Sequence, residues 1–218
     1  MNSKKIIVGV LVGAVIFYLI TSFIVDRRLA TLESKLQTDI DKQLELLSDT
    51  AALLGRGAAN ESVAVIVPEC VSIDIARYDS LLSSLDRGLA AAELIELKAL
   101  FDRCGDTASM RRSVMTLTLA EEVKGLEMLV NHYEGLGKKF NPGLVNDWNE
   151  LVSLEQDISD NFNQLVVAQG NIIGVLVSDT PSSTLTVENI RVQAEELRGE
   201  LTKLTSTAAP LRSRLIKS

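Results

Sequence analysis

The chain has 218 residues, 46% apolar and only 4% aromatic, and a net charge of −7. Scarce aromatics among many Leu and Ala favour helix-on-helix packing over a β-sandwich, and four prolines leave long stretches free to be helical. The acidic balance argues against a nucleic-acid or anionic-surface binder, which would present Lys and Arg.

Residues 1–5 read as a short cytoplasmic tail carrying Lys4 and Lys5. Residues 6–25 follow as 20 positions without a charge, from Ile6 to Val25. At about 1.5 Å per residue such a helix spans roughly 30 Å, the hydrocarbon thickness of a bilayer. Asp26, Arg27 and Arg28 anchor its far side. The stretch is longer than the apolar core of a cleaved signal peptide and has no small-residue cleavage site after it, so an uncleaved anchor is expected. Lysines and arginines are nearly balanced across it and do not orient it. The cysteine pair does, because a disulfide needs an oxidising compartment. The N-terminus is therefore expected in the cytoplasm, and the rest, carrying a net charge of −9, in the periplasm or outside the cell. Gly9 and Gly13 form a G-x-x-x-G pattern that lets a second membrane helix approach closely.

Residues 26–54 continue as an amphipathic stalk helix, with Leu29, Leu32, Leu36, Ile40, Leu44, Leu47, Ala51 and Leu54 at steps of three or four. Gly55 and Gly57 are expected to end it. Residues 55–69 read as a linker, closed by Pro68 and containing a glycosylation acceptor at Asn60 that matters only in a eukaryotic source.

The remainder, 70–218, is expected to be one helical-bundle ectodomain. Its first part is a pair of short helices, with Val71, Ile75, Tyr78, Leu82, Leu85 and Leu89 on one and Ala90, Leu94, Leu97, Phe101 and Cys104 on the other. Asp86-Arg87-Gly88 supplies the turn between them, and Gly105 closes the pair. Cys70 and Cys104 lie equidistant in sequence from Arg87, so an antiparallel hairpin brings both to its open end. A disulfide there closes a loop of about 35 residues, for which chain entropy gives about 3.8 kcal/mol. Asp106 is the expected cap of the next helix, Thr107 to Gly135, whose apolar face reads Met110, Val114, Leu117, Ala120, Val123, Leu126, Val130 and Tyr133. Lys138 and Lys139 follow as solvated charges.

Asn141-Pro142 is a strong helix start. The seam behind it, Leu144, Trp148, Leu151, Glu155, Ile158, Phe162, Leu165, Gln169, Ile172 and Leu176, alternates steps of four and three. Glu155 and Gln169 are its two polar members. Such residues either fix register or oligomeric state at some cost in stability or lie at a solvated edge, the plainer reading. After a loop at 178–184, Val187, Ile190, Ala194, Leu197, Leu201, Leu204, Ala208, Leu211 and Leu215 form a last stripe. Pro210 is expected to end or kink that helix, and Arg212, Arg214 and Lys217 to suit its negative end.

The expected fold is thus all-α: one transmembrane helix continuing into an elongated antiparallel bundle with a disulfide-closed αα-hairpin. Catalytic patterns are missing. His132 is the only histidine, and no nucleophile elbow, phosphate-binding glycine loop or paired E-x-x-H set occurs. No cofactor and no metal site is expected. The chain reads as a non-catalytic scaffold or adaptor in a cell-envelope complex. Its expected partners are the lipid bilayer and other membrane or envelope proteins, with a homo-oligomer open and nucleic acid excluded. The alternative is a ligand-sensing helical ectodomain acting through a membrane partner.

Overall fold

A computed structural model describes the backbone of residues 3–57, 72–84, 88–178 and 183–217, and the side chains of 17–19, 21–56, 76–84, 88–178 and 187–217. All the elements are helical: α1 (Ser3–Gly57), α2 (Ser72–Ser84), α3 (Ala91–Leu100), a π turn (Phe101–Gly105), α4 (Asp106–Gly135), α5 (Pro142–Val177) and α6 (Ser183–Leu215). No strand occurs among the described residues. The expected linker beyond Gly57, the acceptor at Asn60, the turn residues Asp86 and Arg87, and Cys70 lie outside the described residues. Among those described, no helix is long and apolar enough to cross a membrane. The side chains of residues 6–16 and 20, most of the expected span, are not among them.

The chain divides into two compact units, residues 1–44 with 125–141, and residues 45–124 with 142–218. In the first unit, α1 is a continuous helix on which Leu29 and Leu32 are exposed and Ile40 is buried. Lys138 is exposed, as expected of a solvated charge, and also meets Glu33 at 2.7 Å. That bond raises the ammonium's pKa above its ordinary value, but an exposed pair of this kind adds little stability.

The second unit holds the main core. Leu47, Ala51 and Leu54 of α1 are fully buried. Gly55 does not end α1, which runs on to Gly57. A methyl group at Gly55 would stand 2.8 Å from Cδ of Arg212, so this glycine serves a close approach rather than a stop. α5 and α6 pack along each other, and their pairing is antiparallel: Leu165 and Ala168 meet Ala194 and Leu197, while Ile172 and Ile173 share a cluster with Val187. The sequence seam of α5 is its buried face, with Trp148, Leu151, Glu155 and Ile158 all 0% exposed.

α2 and α3 form the expected hairpin. Gly88 adopts φ +79°, the left-handed region a helix-ending glycine supplies without strain. Glu93 caps the start of α3 by accepting a bond from the Ala90 N–H at 3.0 Å. Arg77 on α2 donates two bonds to Glu96 on α3, at 3.0 and 2.7 Å.

Three expectations are corrected here. Gly105 does not close the helix pair and Asp106 does not cap a new helix. Leu100, Phe101 and Asp106 all keep right-handed helical dihedrals, so the chain passes from α3 through the π turn into α4 without a break. The second correction concerns α4. Val123, Leu126 and Val130 of its expected face are buried, but in its first half Met110, Val114 and Leu117 are 69%, 58% and 59% exposed, and Ala108, Arg112, Thr116 and Leu119 are buried instead. Polar residues of α5 await the first turns of that face, so a polar stripe outcompetes the apolar one. Third, Pro210 does not end α6. The helix continues to Leu215, although proline has no N–H for the carbonyl four residues back, because Leu211, Arg212 and Leu215 are buried.

Two glycines of α5 make the packing testable. A methyl at Gly170 would lie 2.8 Å from Cζ of Phe101, whereas one at Gly174 meets nothing within 4 Å. Alanine is the better helix former by about 0.8–1 kcal/mol, so Gly174→Ala is expected to stabilise the protein by about 0.5–1 kcal/mol. Gly170→Ala is expected to destabilise it by about 1–3 kcal/mol, because the buried ring has to shift. Denaturant midpoints of the two variants measure the contrast.

Candidate functional site

The polar stripe of α4 meets α5 in a ladder of hydrogen bonds. Ser109 Oγ donates to Asn163 Oδ1 at 2.5 Å, and Asn163 Nδ2 donates to Ser113 Oγ at 2.9 Å. Ser113 and Ser159 share a bond of 3.4 Å between their hydroxyls. One turn further along, Arg112 Nη2 donates to Glu155 Oε2 at 2.8 Å. The other carboxylate oxygen accepts from Arg212 of α6, through Nε at 3.0 Å and also through Nη2. Glu155 therefore bridges two arginines from different helices.

All three residues of this triad are buried: Glu155 is 0% exposed, Arg112 1% and Arg212 6%. Taking three charges out of water costs several kcal/mol per ion, and only close hydrogen-bonded geometry offsets it. The cluster carries two positive charges against one negative. Burial draws the Arg112 guanidinium below its ordinary pKa; the Glu155 carboxylate opposes that shift and the Arg212 charge adds to it. The Arg112 Nε atom is buried with no hydrogen-bond partner.

Beside the triad a cavity of about 1300 Å³ runs between α2, α5 and α6. Its lining extends along α5 from Ile158 to Ile172, a separation of about 21 Å at 1.5 Å per residue. Arg112 and Thr205 line one end, and Tyr78 and Gln169 the other. The wall between is largely apolar, with Phe162, Leu165 and Leu201 among its members. Tyr78 donates to Gln169 Oε1 at 3.0 Å. Burial pushes the Tyr78 phenol well above its usual pKa, and the neighbouring Asp79 charge adds to the effect, so Tyr78 is a donor throughout the physiological range.

The residues singled out in the sequence do not form one centre. Glu155 is not at a solvated edge but fully buried, because Arg112 and Arg212 converge on it. Gln169 lies fourteen residues further along α5 and holds Tyr78 instead. Cys104 is fully buried in the π turn and is not a free thiol; its expected partner Cys70 lies outside the described residues. Gly9 and Gly13 fall within α1, upstream of the described side chains. Arg212, read as suiting a helix end, is a member of the triad. Arg112 was not anticipated at all. Its signal is the match between Ser109, Arg112, Ser113 and Thr116 on α4 and Glu155, Ser159 and Asn163 on α5, two polar stripes at helical spacing. Among the described residues no group of three or more His, Cys, Asp and Glu could hold a metal ion.

No known protein family, curated protein or solved structure matches this chain.

The triad yields a stability prediction. Glu155→Gln leaves two buried guanidiniums without their carboxylate and is expected to cost about 3–5 kcal/mol. Replacing all three residues together with apolar ones, Arg112→Met, Glu155→Leu and Arg212→Met, removes the buried charge altogether. That variant is expected to match or exceed the wild type in urea denaturation.

Proposed function

We propose that this chain is a membrane-anchored helical scaffold subunit of a cell-envelope complex, with its bundle on the periplasmic or extracellular side. The observation that carries the reading is an uncharged stretch of 20 residues, Ile6 to Val25, that opens a helix unbroken from Ser3 to Gly57. Such a stretch is long enough to span a bilayer. Gly9 and Gly13 provide a close-packing face for a second membrane helix, from a partner or another copy. On the soluble side, Met110, Val114 and Leu117 present an exposed apolar stripe, the kind of surface assemblies bury.

The oxidising location rests on a disulfide between Cys70 and Cys104. The hairpin register supports the pairing. Arg77 and Glu96 face each other; Cys70 lies seven residues before the one, and Cys104 eight after the other. Cys104 lies within the π turn, which holds one residue more than an α-helical turn.

The second reading is a ligand-sensing bundle that acts through a membrane partner. The cavity along α5 favours it, since enclosed apolar grooves with a few polar groups are the usual form of small-molecule sites.

Two measurements test the main reading. The full chain is expected to stay with membranes through alkaline carbonate extraction, and a variant lacking residues 1–25 to be released. Retention of the truncated form, or release of the full chain, overturns the anchor. Cys70→Ser is expected to lower the melting temperature under oxidising conditions by the equivalent of about 2–4 kcal/mol and to melt like the reduced wild type. Equal melting of oxidised wild type and variant overturns the disulfide.

A further inference from the structure

The cavity between α2, α5 and α6 has chemistry that scaffolding does not use. Its long wall is apolar, which suits a hydrocarbon chain. Its two ends differ. At one end Tyr78 and Gln169 satisfy each other at 3.0 Å. At the other, the Arg112 Nε and the Thr205 Oγ1 are both buried without a hydrogen-bond partner, and both residues line the cavity. A buried donor without an acceptor costs about 1–3 kcal/mol, more when it is charged. The charge points the same way, because Arg112 and Arg212 share the single carboxylate of Glu155. Arg112 is only 1% exposed, so bulk water does not compensate for the excess.

We infer that this cavity binds an unbranched aliphatic carboxylate, its chain lying along α5 and its head group at Arg112 and Thr205. A carboxylate brings the one negative charge that balances two arginines against Glu155, and it accepts from both the guanidinium Nε and the hydroxyl. Charge-assisted bonds of this kind are about twice as strong as neutral ones. The mouth itself is net acidic. Asp79, Glu188, Glu195 and Glu196 stand there against Arg191 and Arg198, with Glu188 beside Arg191 at 3.6 Å and Glu195 paired with Arg198, so the attraction for a carboxylate comes from the buried arginines and not from the rim. These pairs are largely exposed and screened by salt.

The test uses the full chain in nanodiscs of zwitterionic lipid, with empty nanodiscs as the blank. Octanoate and octanol are titrated calorimetrically. Octanoate is expected to give saturable heat above the blank, and octanol at least ten-fold weaker binding. Arg112→Lys keeps a charge but removes the Nε donor, and is expected to weaken octanoate at least ten-fold. Two variants outside the triad guard against a folding defect. Thr205→Val is expected to weaken octanoate several-fold with octanol unchanged. Val192→Trp adds bulk to a cavity-lining residue that is 54% exposed and is expected to weaken both ligands. No octanoate heat above the blank, equal affinity for octanol, or wild-type octanoate binding by Thr205→Val and Val192→Trp each overturns the proposal. Each result is independent of whether residues 6–25 cross the bilayer.

Discussion

The bridge from Arg112 through Glu155 to Arg212 is the constraint on which the rest of the second unit depends. One carboxylate, 0% exposed, accepts from helices α4 and α6 at once. Apolar packing tolerates small slides of one helix along another, but a bidentate carboxylate flanked by two guanidiniums does not. The triad therefore sets how α4, α5 and α6 stand against one another. It also explains two local oddities. α6 carries on past Pro210 because Arg212, two residues later, has to arrive at Glu155. α1 has a glycine at position 55 because the Arg212 side chain, held in place by that bond, lies where a methyl group would go.

Much of the helical architecture can be read from the residues alone. The stripes on α5 and α6 alternate steps of four and three over their whole length, and those positions are the ones that pack. The Asn141-Pro142 start and the Gly88 turn follow equally from local chemistry, because proline fits the first turn of a helix and glycine takes a left-handed dihedral. The first buried residue of α1 among the described side chains is Ile40, although its stripe is as regular before that point as after it.

The misreadings share a cause. Periodicity arguments take buried surface to be apolar, and in the first half of α4 the buried surface includes Arg112 and Thr116 while Met110, Val114 and Leu117 face outward. The polar face becomes intelligible only when Glu155, Ser159 and Asn163 are known to stand opposite, which is a fact of tertiary structure. Gly105 misleads similarly. Glycine usually punctuates a helix, but here it makes room: a methyl at that position would lie 3.0 Å from the Phe101 ring and 3.3 Å from the Tyr78 hydroxyl. Of the candidate site, Glu155 and Gln169 were visible as exceptions within a seam, whereas the cationic partners that give Glu155 its meaning were not.

The π turn between α3 and α4 has a consequence for how this chain can vary. A segment of α-helix advances by about 100° per residue, so one supernumerary residue in an unbroken α-helix would rotate everything on its far side by that angle, and the wider π turn takes that rotation up. The turn at Phe101–Gly105 thus works as a phase adjuster between two surfaces with different demands: the hairpin, which must lay Leu97 and Phe101 on α5, and the polar ladder, which must aim Arg112 at Glu155. Shortening this stretch by a single residue would turn it into ordinary α-helix and leave the two halves nearly in step, whereas a second deletion would rotate one against the other. Homologues that keep the triad should therefore either hold the spacing between Phe101 and Arg112 or lose one residue together with the π turn, even where the side chains between them change.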